Sequence, residues 1–239
     1  MPVGTPTRTE QAPNLIYKEG FAMSENKLSR KRDLLGLLAF PVLGLIYGWL
    51  NNNHQGAVAL STEFDNSIPF LSIFIIPYIT WYAYIVCYLI YFWRKSVSVY
   101  WKTIIAITLG EVICFFIYYF FQTTVPRPRL SGDGLLIQLV SLIYSNDEPY
   151  NCFPSIHVLT TSAVMLSFLK LKGESTVQQY ICLFIGSLII LSTIFVKQHI
   201  VYDVLGSIAL SISLNTLLYG SKQRMPKVGR KKQEEYQTN

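Results

Sequence analysis

Two well separated segments hold two of the chain's three histidines: Phe153-Pro154-Ser155-Ile156-His157, and Lys197-Gln198-His199-Ile200-Val201-Tyr202-Asp203. Each lies at the edge of a long apolar run, where a membrane helix would meet water. On a helix, positions i and i+4 share a face, about 6 Å apart along the axis. Asp203 would then accept a hydrogen bond from one ring nitrogen of His199 and leave the other as an attacking lone pair. An aspartate inside a membrane helix is costly unless paired, which favours a role over simple capping. His157 opens another run and suits a general acid that protonates an oxygen leaving phosphorus. Alone, it would read as an interfacial histidine bonded to a loop carbonyl.

Phosphoryl transfer spreads negative charge over the equatorial oxygens, so a site for it must supply fixed donors. Arg127 offers a planar fork for two of them. Lys197, the Ser155 hydroxyl and N–H groups at the start of the following helix offer others. Arg129 fits either this role or that of a rim cation meeting lipid headgroups. Glu111 falls in the middle of an apolar run, as a neutral hydrogen-bonded acid or as part of a second polar site. No His/Asp/Glu set has metal-ligand spacing, so chemistry without metal or cofactor is expected.

The elements that must position these groups are membrane helices. The chain is 51% hydrophobic and only 14% charged, against about 25% charged in soluble domains. The expected fold is an all-α integral membrane protein with six transmembrane helices, near 34–50, 69–93, 103–121, 155–171, 179–196 and 200–219. Residues 1–33 read as a polar cytoplasmic tail and 220–239 as a basic one. Met23 opens a shorter plausible chain, and the first apolar run reads as an uncleaved signal anchor. Leu135 to Tyr144 is expected as a short interfacial helix. Pro41 and Pro77 fall within spans, where neighbouring helices would compensate for lost hydrogen bonds. Tyr47, Trp49, Trp93, Tyr100 and Trp101 sit at span ends, as an aromatic belt would. Of four cysteines, three lie in apolar runs and Cys152 in a polar loop, so disulfides are not expected.

With both termini cytoplasmic, 17 of the 20 Lys/Arg lie inside, which satisfies the positive-inside rule. The net charge of +6 is thereby explained without a nucleic-acid partner. The outward exceptions are Arg127, Arg129 and Lys197, beside the segments suited to chemistry. The outer ends of helices 3–6 should therefore gather round one site, covered by the 122–154 loop. A plasma-membrane location with the active site outside is expected.

These segments resemble the motifs of the type 2 phosphatidic acid phosphatase superfamily: Lys-x6-Arg-Pro, Pro-Ser-x-His and Ser-Arg-x5-His-x3-Asp. The second is met by Pro154, Ser155 and His157, the third in part by Ser192, His199 and Asp203, the first in part by Arg127 and Pro128. The resemblance implies a helical core with His199 as a nucleophile forming phosphohistidine, Asp203 orienting it, and His157 as acid and then base. Two family cations are replaced, the lysine by Phe120 and the arginine by Thr193, with Lys197 a possible substitute. The forms Phe-Pro-Ser-Ile-His and Lys-Gln-His look closer to the branch containing inositolphosphorylceramide synthase and its bacterial relatives.

The expected function is a metal-independent membrane phosphatase acting on a lipid phosphate or diphosphate at the outer face. Its rival is a phosphotransferase that passes the group to a hydroxyl acceptor. A non-catalytic lipid-binding or transport protein, favoured by the missing cations, is a third reading. An intramembrane serine protease using Ser155 is disfavoured, because Ser155 and His157 are too close in sequence for easy nucleophile–base geometry.

Overall fold

The structure, a computed structural model, describes residues 32–52 and 56–220. Most of the two expected tails, and Met23, lie outside the described residues. A 3-10 turn over Leu34–Leu38 runs into α1 (Ala39–Asn52). There follow α2 (Glu63–Ser67), α3 (Ile75–Lys95) and α4 (Val97–Phe120). Then come α5 (Leu135–Asn146), α6 (Ile156–Phe168), α7 (Thr176–Phe195) and α8 (Val201–Gly220).

Five helical stretches are long and apolar enough to cross a membrane: Leu34–Asn52, Ser72–Lys95, Val97–Phe120, Thr176–Phe195 and Val201–Gly220. The chain is thus a multi-pass membrane protein. The fourth expected span is different. At 13 residues, α6 is about 20 Å long, short of the ~30 Å hydrocarbon core. Its position explains its length. It packs against α3, α4, α7 and α8, and Val158 through Val164 form an almost unbroken buried run with Ser167 and Phe168. A helix enclosed by others need not reach either lipid boundary, and it can carry Thr160, Thr161 and Ser162 among its buried residues.

Within a bilayer there is no hydrophobic drive between helices, so close packing and interhelical hydrogen bonds must hold them. Gly110 on α4 lies against Leu159, where a Cβ would meet Cδ2 at 2.8 Å. Ser207 on α8 donates to the Ser155 carbonyl at 2.9 Å. Both contacts fix α6 to its neighbours.

The prolines need no compensation from other helices. Pro41 and Pro77 are each the third residue of an α-helix preceded by a 3-10 turn, a first-turn placement in which proline is tolerated. The aromatic belt is only partly one. Tyr100 is fully buried and donates to the Asp33 carbonyl at 2.8 Å, and Trp101 donates to Asp33 Oδ1 at 2.9 Å.

Two features tie the loops at the site end together. Strand β1 (Val58–Ala59) pairs in parallel with β2 (Thr123–Thr124). The end of α1 holds the loop before α6: Asn51 donates from Nδ2 to the carbonyls of Glu148 and Tyr150, both at 3.2 Å, and accepts from Glu148 N at 2.9 Å. The expected short helix near 135–144 is α5, packed through Val140 against Ile75, Tyr78 and Val196. All four cysteines are free, and Cys152 is a buried residue rather than an open loop thiol.

Candidate active site

The turn between α7 and α8 sets His199. Val196 closes α7 and Lys197 takes a left-handed conformation, φ 55°, which costs a residue with a Cβ about 1–2 kcal/mol. The chain then folds back so that the N–H groups of Gln198 and His199 both donate to the Thr193 carbonyl at 3.0 Å. His199 therefore precedes α8 rather than lying on it. Asp203, fully buried in the first turn, reaches back: its Oδ2 accepts from Ile200 N at 3.0 Å and meets His199 Nδ1 at 3.2 Å. The expected His–Asp contact is present, but it spans a helix start, as a capping side chain does, instead of running along a helix face.

His157 lies in the first turn of α6. Its ring is stacked on Tyr78, centroids 4.6 Å apart, and tilted against Trp81 at 4.2 Å. Its centroid is 6.4 Å from that of His199, and its buried Nε2 has no protein partner. Trp81 is held in turn by donating to Thr160 Oγ1 at 2.9 Å.

Arg127, Lys197 and His199 line one cavity of about 250 Å³, with Asp65 and Asn66 contributed by the α2 segment. Arg127 stacks 4.4 Å from the Tyr144 ring centroid, donates to the Tyr144 carbonyl at 3.2 Å and to Gln198 Oε1 at 2.5 Å. Lys197 donates from Nζ to the Asp65 carbonyl at 2.8 Å. Burial pushes the Lys197 ammonium below its usual range, opposed by the charge of Asp65.

Two expected donors are not brought to the cavity. Arg129 is exposed and does not line it. Ser155 is fully buried as the N-cap of α6, its hydroxyl accepting from Val158 N at 3.4 Å. A helix start must satisfy its own N–H groups, and Ser155 serves that need here. The replaced family positions are equally definite. Thr193 is fully buried and gives its carbonyl to the turn, while Phe120 is 78% exposed at the end of α4.

Sequence reasoning missed several residues. Asp65 caps α2 in a reciprocal box with Thr62 and accepts from Val201 N at 2.9 Å, so it also fixes the start of α8. The Thr62-x-x-Asp65 spacing was the available signal. Asp147 accepts from the Tyr47 hydroxyl at 2.6 Å. Its carboxyl is pushed up by burial, opposed by the Tyr47 bond and by the charges of Arg127 and His199. Cys152 has its thiol pushed up by burial and by the nearby carboxylates of Asp203 and Asp147. Its sulfur and the ligand atoms of His199 and Asp203 all lie within 4.8 Å of one another. Sequence spacing could not reveal that group.

Membrane-crossing helices surround a buried histidine–aspartate pair with a second histidine and two cations beside it, an arrangement that fits a membrane phosphatase or phosphotransferase in general terms. The PAP2 superfamily matches residues 99–226, more than half of the sequence, and the chain belongs to it. The match runs from the start of α4 past the end of α8 and so takes in both histidine segments. No curated protein and no solved structure matches this chain.

Proposed function

We propose that this protein is a membrane phosphatase that hydrolyses a lipid phosphate or diphosphate monoester through a phosphohistidine. The observation that carries the reading is His199: its Nδ1 meets Asp203 while its ring lines a cavity shared with Arg127 and Lys197. Membership of the superfamily supports the class of reaction.

In the first step the Nε2 lone pair of His199 attacks phosphorus as the bond to the lipid oxygen breaks. Arg127 and Lys197 meet the charge on the equatorial oxygens. Asp203 holds the tautomer and stabilises the cationic ring that forms. His157 gives its proton to the leaving oxygen, then takes one from the water that attacks the phosphohistidine and releases phosphate. No step as written calls on a metal. The excess of Lys/Arg elsewhere in the sequence supports cytoplasmic termini and a site on the outer face of the plasma membrane.

Phosphotransfer to a lipid or polyol hydroxyl is the second reading, with Thr193 and Phe120 at the replaced cation positions as the observation in its favour. It differs only in what resolves the intermediate. Purified protein in detergent with chelator should release phosphate from phosphatidic acid, diacylglycerol pyrophosphate or isoprenyl phosphates, and His199→Ala should release none. Wild-type protein that forms phosphohistidine, releases no phosphate, and yields a phosphorylated acceptor once a hydroxyl acceptor is added would be a transferase.

A further inference from the structure

The catalytic pair has a third neighbour. Cys152, 3% exposed, lies in the loop before α6, and its sulfur is within 4.8 Å of ligand atoms on both His199 and Asp203. Its Sγ makes a long contact of 3.6 Å to the Pro149 carbonyl and is also met by the Val125 backbone N–H. Asp203 uses only one oxygen, for Ile200 N and His199. The other, Oδ1, is buried without a protein partner. A buried carboxylate with one oxygen unpaired, beside a thiol and an imidazole, is a donor set for a soft divalent cation.

The spacing fits. Tetrahedral Zn²⁺ with nitrogen and oxygen ligands at ~2.0–2.1 Å places them ~3.3 Å apart, and His199 Nδ1 lies 3.2 Å from Asp203 Oδ2. A sulfur ligand at ~2.3 Å would sit ~3.5 Å from each, so Cys152 must close by about 1 Å. The loop that carries it is held by Thr123, whose hydroxyl accepts from the N–H groups of Cys152 and Phe153 at 3.1 and 2.8 Å.

We propose that Cys152, His199 and Asp203 form an inhibitory site for a soft divalent cation of the zinc type. Binding replaces the thiol proton, which leaves to solvent, with a sulfur–metal bond, and the Nδ1 proton of His199 moves to Nε2, which takes up the lone pair needed for attack. It draws the His199 nitrogen and the Asp203 carboxylate onto the metal, with the fourth position open to water. The pair that orients the nucleophile is then occupied and turnover stops. The arrest of activity rests on the phosphatase reading, whereas the binding site does not.

The test uses the full chain in detergent micelles, titrated with Co²⁺ alone as a spectroscopic substitute and with Zn²⁺ alone. One Co²⁺ per chain with a thiolate-to-cobalt band in the near ultraviolet is expected, and Zn²⁺ should displace it. The band should vanish in Cys152→Ser, and the zinc concentration for half-inhibition should rise at least about tenfold, the loss that even an outer-shell partner can cause. The reciprocal protein, with Cys87, Cys114 and Cys182 changed to alanine, should keep the band and covers the case where Cys152→Ser does not fold. A band that survives in folded Cys152→Ser, that disappears from the reciprocal protein, or that never forms in the wild type overturns the site. A normal band on a protein without phosphatase activity leaves the site standing and overturns the enzymatic reading instead.

Discussion

Lys197 donates from Nζ to the backbone carbonyl of Asp65 at 2.8 Å, joining residues 132 positions apart. The bond brings the loop after α1 against the turn that carries His199, and leaves the ammonium on the wall of the cavity. Lys197 thus takes up a place near the His199–Asp203 pair without matching a residue of the three motifs. Lys197→Ala should lower kcat/KM by about 10- to 100-fold, the range for one hydrogen bond to a charged group. Steady-state kinetics on a lipid phosphate would measure it, and an unchanged kcat/KM would remove Lys197 from the site.

Asp203→Asn keeps an oxygen for Ile200 N but loses the charge that stabilises a cationic His199. A fall in kcat on the order of 10²–10⁴-fold is expected, with little change in Tm. A variant that loses Tm and activity together would point to a purely structural role.

His157→Ala separates the two steps. With a lipid alkoxide leaving group the first step needs its proton, and turnover should stop. With an aryl phosphate, whose leaving group needs no acid, the first step should proceed and the phosphohistidine should accumulate. Acid-labile, base-stable labelling of the protein would reveal it; rapid full turnover of the aryl ester would rule out His157 as the base.

Asp65 gives a pH signature. Burial alone would raise its carboxyl, but the bonds from Thr62 and from Val201 N, with the charge of Lys197, bring it below the usual value. A lowered folded-state pKa means stability that is present above the unfolded value, near pH 3.9, and lost as pH falls through the folded one. Asp65→Asn should therefore cost about 1 kcal/mol at neutral pH, as loss of a helix cap does. Its Tm deficit against wild type should shrink as pH falls below about 4. A deficit constant with pH would refute the charge argument.

Gly206 on α8 tests the approach of the loop before α6. A Cβ there would meet Phe153 Cε2 at 2.6 Å. Gly206→Ala should cost about 1–3 kcal/mol by overpacking and reduce activity by moving the Phe153–His157 segment. Unaltered activity with unaltered Tm would show that the ring simply turns aside.

Membrane class, five of the six long helices and the pairing of His199 with Asp203 were legible because each rests on local chemistry. Apolar length sets a span, and a four-residue spacing sets a contact. The fourth expected span, the short one, is α6 over Ile156–Phe168, and apolar character alone does not distinguish a helix facing lipid from one enclosed by protein. Ser155 caps α6, and Arg129 is exposed outside the cavity, the placement expected of a rim cation.

The sequence by itself determined the kinds of groups available: two histidines, an aspartate and a few cations at helix ends, in an otherwise apolar chain. Beyond the His199–Asp203 pair, tertiary structure decided which of them meet. Asp65 comes from α2, Tyr78 and Trp81 from α3, and Asp147 and Cys152 from the loop before α6, and their closeness to His157 and His199 follows from helix packing and loop pairing. Those are long-range contacts, and no short-range spacing encodes them.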